Sequence, residues 1–230
     1  MNWKRQRVLV TGSSGMIGQE LVEQLINLGA DVTMADIKWD SCDLTDYKTC
    51  KELCIGKDIV FHCAGVKGSP RMTKEYPVDF MAPMLAFDRN MIVAAQEMNV
   101  KKFLYTSSIA VENLDTDLYP ATAKLTAERL IEAMRIQYPE GTKYCIVRPA
   151  NVYGRFDNFD NPNAMVVTSL IGKAMRDKKI VLDNKGAQQY RDFINAKDVA
   201  SGMIQALEDM PSYPVNLCSG DIYSINCLVL

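Results

Sequence analysis

The sequence of 230 residues contains a single histidine and almost no excess of charge of either sign. Its 26 lysines and arginines against 28 aspartates and glutamates give a net charge of −2, which does not favour binding to nucleic acid or to an anionic membrane surface. Its apolar runs are far shorter than the roughly 20 residues that span a bilayer. The basic N-terminal segment leads into an apolar strand without the features of a signal peptide. We therefore predict neither a nucleic-acid nor a membrane partner.

The seven cysteines are odd in number, and their spacing does not indicate a disulfide framework. Cys50 and Cys54 lie four residues apart on a predicted helix, but the chain has only His62 to complete a site of the cysteine–histidine kind. Buried free thiols are therefore the favoured interpretation, and we predict no metal. Free thiols are typical of a reducing compartment, which predicts a cytoplasmic location.

The most informative segment is an apolar run over 8–10, followed by a loop with glycines at positions 12, 15 and 18 and then by a helical pattern. Glycine permits a tight turn and lets the backbone approach a pyrophosphate, which the free N–H groups of the helix N-terminus attract. Asp36 ends the next apolar segment, about where a carboxylate meets a ribose 2′-hydroxyl. This order predicts a dinucleotide site, although the spacing G-x-x-G-x-x-G differs from the general fingerprint G-x-G-x-x-G.

Apolar strand candidates alternate with longer amphipathic segments as far as residue 148, which predicts parallel strands joined by right-handed crossovers. The fold class is therefore α/β, a Rossmann-like doubly wound parallel sheet. We assign 1–150 to a dinucleotide-binding domain and 151–230 to a small, interleaved substrate-binding lobe that we expect to be incomplete. The predicted strands are 7–11, 31–36, 58–63, 101–107 and 143–148, with short ones near 180–183 and 213–217. The predicted helices lie near 15–28, 45–54, 77–98, 120–138, 164–176 and 196–209.

Four segments fall where the strands of such a sheet would end and point into one crevice: Asp43-Leu44, His62-Cys63-Ala64-Gly65, Thr106-Ser107-Ser108 and Arg148-Pro149-Ala150-Asn151-Val152-Tyr153-Gly154. Further motifs are Thr11-Gly12 with Gly15 and Gly18, Cys42 and Thr45-Asp46 around the first of these segments, Lys124 in a predicted helix, and Arg191-Asp192-Phe193-Ile194 with Asp198-Val199-Ala200. Together they make the chain resemble the extended short-chain dehydrogenase/reductase family, the NAD-dependent epimerases and dehydratases of nucleotide sugars. The segment 157–163, with 66–68 earlier, is similar to the GDP-fucose synthase branch of that family.

The resemblance implies an NAD(P)-dependent epimerase, dehydratase or reductase that acts on a nucleotide sugar as a homodimer. It implies that Lys124 holds the nicotinamide ribose and stabilises a neighbouring phenolate, and that Ser108 hydrogen-bonds a substrate oxygen. Arg191 would clamp a substrate phosphate, and the other implied substrate contacts are Lys67 and Asn151. The glycine loop and the resemblance together give these cofactor-binding residues: Gly12, Ser14, Gly15, Met16, Ile17, Gly18, Asp36, Asp43, Leu44, Cys63, Ala64, Gly65, Lys124, Pro149 and Val152.

One position departs from the family pattern. The motif Y-x-x-x-K places both side chains on one face of a helix, whereas Tyr119 and Lys124 are five residues apart and Pro120 stands where the tyrosine is expected. Proline is tolerated in the first turn of a helix, so we expect Tyr119 at or before the helix cap. It is either the proton-transfer residue or a surface or packing tyrosine.

Some alternatives stay open at this point. Asp36 favours NAD because a carboxylate repels a 2′-phosphate, while Lys38 leaves NADP open. The displaced tyrosine leaves open a dinucleotide-binding sensor or assembly protein with impaired catalysis, and a third alternative is a reductase of a small ketone, aldehyde or steroid. His62 follows a strand and is interpreted as a core or turn residue. A second apolar face on the 77–98 helix, marked by Leu85 and Ile92, indicates either deep burial or a partner helix.

Overall fold

Nine strands and eight α-helices are present in the computed structural model, which describes residues 1–40, 42–66, 70–115, 117–157, 164–178, 180–182 and 188–229. The strands are β1 (Arg7–Thr11), β2 (Asp31–Ala35), β3 (Ile59–His62), β4 (Lys102–Thr106), β5 (Lys143–Pro149), β6 (Asn151–Tyr153), β7 (Tyr190–Asn195), β8 (Val215–Leu217) and β9 (Ile222–Ser224). The helices are α1 (Met16–Asn27), α2 (Ile37–Asp40), α3 (Tyr47–Cys54), α4 (Pro70–Glu75), α5 (Pro77–Glu97), α6 (Leu118–Gln137), α7 (Val166–Asp177) and α8 (Ala196–Asp209). Two short 3-10 turns cover Ile109–Glu112 and Ile225–Leu228.

The main sheet contains six strands in the order β2-β1-β3-β4-β5-β8, and every neighbouring pair is parallel. The chain moves from β1 outward to β2 and then crosses to β3 on the other side of β1. Ligands bind at such a reversal in open α/β sheets, outside the carboxyl ends of the strands. This architecture confirms the predicted Rossmann-like doubly wound fold and gives the expected place for a cofactor.

Apolar residues alternate between the two faces of this sheet, because successive side chains of a strand point to opposite sides. Leu9, Val60 and Phe103 belong to the core on one face, beneath α3, α5 and α6. Val10 and Phe61 belong to the other core, beneath α1 and α8. Helices on both faces explain why the strands read as nearly continuous apolar runs.

A second, three-stranded sheet has the order β6-β7-β9, with β6 and β7 parallel and β7 and β9 antiparallel. It carries a small apolar cluster of Leu170, Phe193 and Ile225.

The predicted strand near 180–183 is wrong over 180–182, which form no strand, and residue 183 lies outside the described residues. Because β8 returns to the main sheet beside β5, the two predicted units share strands; their division at residue 150 stays a prediction.

Several residues of the predicted helices are buried in the protomer's own core. Ile92 is fully buried and Leu85 packs against the same core, so the second apolar face of α5 is covered largely by the chain itself. Cys50 and Cys54 are buried free thiols, and burial raises the pKa of each to about 12.

Among the described residues, no group of three or more histidine, cysteine or acidic side chains could hold a metal ion. No helix in the described ranges is long and apolar enough to cross a membrane.

Candidate functional site

The glycine loop between β1 and α1 packs backbone against backbone. Gly12 has a φ of +67°, and a Cβ there would lie 2.6 Å from the backbone nitrogen of Ala64 at the end of β3. A Cβ on Gly18 would lie 2.2 Å from the carbonyl oxygen of Gly12, so the first turn of α1 sits directly on the loop. Such contacts require glycine. They bring the loop, the start of α1 and the end of β3 together at the switch point of the sheet.

The N-terminus of α1 opens onto this loop. The cap residue is Gly15, which offers no side chain to the first N–H groups of the helix. Those groups and the positive end of the helix dipole attract phosphate oxygens. The loop and helix therefore have the form that a dinucleotide pyrophosphate requires.

Asp36 follows β2 and is held at the rim of the glycine loop. Its Oδ2 accepts a hydrogen bond from the backbone N–H of Ser14 at 3.0 Å, and its Oδ1 accepts one from Lys38 N–H at 2.9 Å. These two contacts fix the carboxylate where the adenine-side ribose of a bound dinucleotide lies in this fold. Its remaining lone pairs can accept from ribose hydroxyls.

The described residues enclose a cleft of about 370 Å³ between these elements. Nine of the predicted cofactor-binding residues line it: Gly12, Ser14, Gly15, Asp36, Asp43, Leu44, Cys63, Ala64 and Gly65. Seven other lining residues are not among the predicted cofactor contacts: Ala35, Ile37, Cys42, Thr45, Val66, Pro83 and Phe87. Pro83 and Phe87 come from α5. A site with glycine backbone at one end, a carboxylate at the rim and apolar walls fits a dinucleotide.

The other predicted cofactor residues are not among those that line this cleft. Met16 and Ile17 form the first turn of α1 with Gly18, directly behind the glycine loop. Pro149 ends β5, and Val152 lies in β6 and packs against the core shared with α1 and α8.

Lys124 and Ser108 come from neighbouring elements beyond the end of β4. The side chain of Lys124 is only 12% exposed, and its Nζ lies 4.7 Å from the ring centroid of Tyr105. Ser108 caps the 3-10 turn that follows β4, where its Oγ accepts a hydrogen bond from Ala110 N–H at 3.2 Å. That contact uses a lone pair, so the hydroxyl proton can be donated to a substrate oxygen.

Tyr119 is inside α6, and the expectation that it lies at or before the helix cap is wrong. The helix begins at Leu118 with Asp117 as its cap residue, so Tyr119 is in the first turn. Residues five apart on an α-helix point about 140° apart, against about 40° for residues four apart. Tyr119 is 40% exposed, and α6 does not bring it to the same helix face as Lys124.

Two other predicted substrate residues, Asn151 and Arg191, belong to the second sheet. Asn151 lies in β6 and donates through Nδ2 to the carbonyl of Asp192 at 2.9 Å. Arg191 lies in β7 and donates to the carbonyl of Tyr190 and to Gln189 Oε1. Lys67 and the segment 158–163 of the fucose-synthase resemblance lie outside the described residues.

Comparison with known proteins gives a consistent family. The NAD dependent epimerase/dehydratase family matches residues 8–223, which confirms the predicted resemblance. The GDP-L-fucose synthase of Escherichia coli (strain K12) is 28% identical over 228 residues, which cover 89% of this chain and 70% of that protein. The 3-beta-hydroxysteroid dehydrogenase of Mycolicibacterium neoaurum is 28% identical over 256 residues, covering 96% of this chain and 65% of that protein.

A similar solved structure is the UDP-N-acetylglucosamine 4-epimerase from Methanobrevibacter ruminantium M1, in complex with UDP-N-acetylmuramic acid. The two structures align with a TM-score of 0.85 at 25% identity, over 98% of this chain and 80% of the epimerase. UDP-N-acetylmuramic acid in that protein is therefore bound on a fold that this chain shares over nearly its whole length.

Proposed function

The chain belongs to the NAD dependent epimerase/dehydratase family, and from that premise we propose that it transfers hydride between NAD and a carbon of a nucleotide-linked sugar. Family membership confirms the prediction of an NAD-dependent, oxidoreductase-type enzyme. The choice among epimerase, dehydratase and reductase, and the identity of the sugar, go beyond it. The observation that carries the proposal is the glycine loop packed against the end of β3 at the opening of the cleft.

Different residues of the site would each bind a different part of NAD. The N-terminus of α1 and the glycine loop would bind the pyrophosphate, Asp36 the adenine-side ribose, and Lys124 the ribose of the nicotinamide. Asp43 and Leu44 would flank the adenine. The chemistry that NAD supplies when bound is hydride transfer to or from a sugar carbon.

Removal of a hydride from a sugar carbinol also requires that its hydroxyl proton leave. Tyr105 is close to Lys124 in space and Tyr119 is close to it in sequence. The two tyrosines differ in their exposure to solvent. Tyr105 is fully buried and donates its hydroxyl proton to Asp88, whereas Tyr119 is exposed at the start of α6. Tyr119 is therefore the proposed acid/base, with Ser108 donating to the same substrate oxygen.

The substrate half of the site is proposed to lie between the main sheet and the second sheet. Arg191 presents a planar guanidinium suited to a phosphate, and Asn151 lies on the strand paired with the one that carries it. Lys67 completes the proposed set. A diphosphate linked to a sugar is the chemistry that these groups recognise.

Incubation of the protein with NAD or NADP and a panel of GDP-, UDP- and dTDP-linked sugars tests the function. Products are separated by chromatography, because epimerisation leaves no net change in cofactor absorbance. We expect turnover of at least one sugar nucleotide and its loss in Lys124→Met. Cofactor binding without conversion of any sugar would contradict the proposed activity and favour a dinucleotide sensor, the alternative supported by the position of Tyr119.

Asp36 gives the cofactor preference a direct test. We expect Asp36→Asn to lower the ratio of kcat/KM with NAD to that with NADP by about ten- to a hundred-fold, the range of a hydrogen bond to a charged group. The reason is that the variant loses an acceptor for the 2′-hydroxyl and a charge that repels the 2′-phosphate. Asp31→Asn, at the opposite and exposed end of β2, is the matched control. An unchanged ratio in Asp36→Asn would remove this carboxylate from cofactor selection.

A second candidate substrate class, a small ketone, aldehyde or steroid, has support from the hydroxysteroid dehydrogenase relative. Inclusion of these carbonyl compounds in the same assay separates the two classes, because Arg191→Ala should weaken binding only of a phosphorylated substrate.

A homodimer and a cytoplasmic location also stay proposals. Analytical ultracentrifugation tests the dimer, and the mass of a single chain at assay concentration would contradict it.

A further inference from the structure

A row of buried polar residues crosses the main sheet below Lys124. Thr11, His62 and Tyr105 are register neighbours on β1, β3 and β4, and neighbours in register point to the same face of a sheet. All three are fully buried, and Asp88 of α5, only 1% exposed, packs onto the row from that face. Polar groups buried to this extent are hydrogen-bonded in folded proteins, so each of these four requires a partner.

The hydrogen bonds of this row have a definite direction. Burial lowers the pKa of His62, so its imidazole is neutral and carries one N–H. Nε2 lies 2.9 Å from Asp88 Oδ1, and a carboxylate only accepts, so Nε2 is the donor. Nδ1 then accepts from the hydroxyl of Thr11 at 2.7 Å. The hydroxyl of Tyr105 donates to Asp88 Oδ2 at 2.5 Å.

The same carboxylate faces the ammonium group of Lys124. Lys124 Nζ lies 3.7 Å from Asp88 Oδ2 and stands above the ring of Tyr105, whose hydroxyl orients that oxygen. A lysine side chain is long and flexible. The carboxylate of Asp88 and the ring face of Tyr105 both attract the ammonium and restrict it to one place. Thr11, at the far end of the row, directly precedes Gly12 of the glycine loop.

We infer that Asp88 is a positioning residue: it holds the ammonium of Lys124 against the sheet, at the place from which it meets the nicotinamide ribose. This inference rests on the proposed function only in placing that ribose at Lys124. The row from Thr11 to Tyr105 fixes the carboxylate from two sides, so the ammonium is set in position before a ligand arrives. If Asp88 were only a structural partner of His62 and Tyr105, its loss would not change the binding of any ligand.

Binding of NADH and of ADP distinguishes these roles, since ADP lacks the nicotinamide half and does not reach Lys124. We expect Asp88→Asn to raise the Kd of NADH by at least about tenfold and to change the Kd of ADP by less than about twofold. Asp58→Asn is the matched control. Asp58 is also buried and is paired with two cations, Arg7 and Lys101, but it lies at the other end of β3. Its variant should lower the melting temperature without altering either affinity.

A double variant keeps the test decisive if Asp88→Asn does not fold. Lys124→Met combined with Asp88→Asn removes both charges, so neither is left buried without its partner. If Asp88 acts through Lys124, the double variant and Lys124→Met bind NADH with equal affinity. A further loss in the double variant, an unchanged NADH affinity in folded Asp88→Asn, or a parallel loss of NADH and ADP affinity would overturn the inference. These binding measurements need no turnover. A protein that is inactive on every sugar nucleotide would therefore contradict the proposed function without deciding whether Asp88 positions Lys124.

Discussion

Tyr119→Phe is expected to lower turnover by about 10²- to 10⁴-fold, the usual contribution of a positioned acid or base. The substitution removes only the hydroxyl, so NADH affinity and the melting temperature should stay as in the unmodified protein. Tyr138→Phe is the matched control because Tyr138 is 39% exposed, against 40% for Tyr119, and caps the opposite end of α6. Steady-state rates with the best sugar nucleotide of the panel give the measurement.

The geometry of α6 adds a rescue experiment to this prediction. In the double variant Tyr119→Phe/Pro120→Tyr, the tyrosine stands four residues before Lys124, about 40° from it around the helix. We expect this variant to recover turnover, because the hydroxyl then shares a helix face with the ammonium. Full activity in Tyr119→Phe alone would show that another group carries the proton, and the sensor alternative would be contradicted as well.

The order of elements around the cofactor cleft could be predicted from the sequence because its signals are local. An apolar strand, a glycine loop and an amphipathic helix are contiguous, and the predicted β1 and α1 agree with the observed elements to within one residue at each end. Helix α6 begins two residues before its predicted start at residue 120, because the first turn that contains Pro120 already begins at Leu118. The three-residue strands β6 and β9 are too short for a periodic pattern to identify.

The buried row beneath Lys124 could not be read from the sequence. Asp88 is one of three acidic residues in α5 and is followed by Arg89 and Asn90, so the sequence gives it the appearance of a surface position. Its partners, His62 and Tyr105, are separated from it by 26 and 17 residues, and only the register of β3 and β4 brings them together. Sheet register and helix packing are tertiary properties, which a single sequence does not specify locally.

Gly12→Ala is the prediction with the largest expected effect on both fold and ligand. A left-handed conformation costs a residue with a side chain about 1–3 kcal/mol. The new methyl group would also stand 2.6 Å from the backbone nitrogen of Ala64, which cannot move aside as a side chain could. The loop must therefore shift away from β3, and a displacement of about 1 Å in a positioned site costs on the order of 100-fold.

We expect Gly12→Ala to lose NADH and ADP affinity together, by about 100-fold, and to lower the free energy of unfolding by more than about 2 kcal/mol. Gly220→Ala separates the two causes: Gly220 has a φ of +88°, but a Cβ there meets nothing within 4 Å. That control should show only the conformational cost in denaturant unfolding and bind both ligands normally. Equal NADH affinity in Gly12→Ala and Gly220→Ala would mean that the close approach of the loop to β3 is not what shapes the pyrophosphate site. Loss of both ligands in Gly12→Ala, against loss of NADH alone in Asp88→Asn, would assign the two halves of the dinucleotide to the two ends of the buried row.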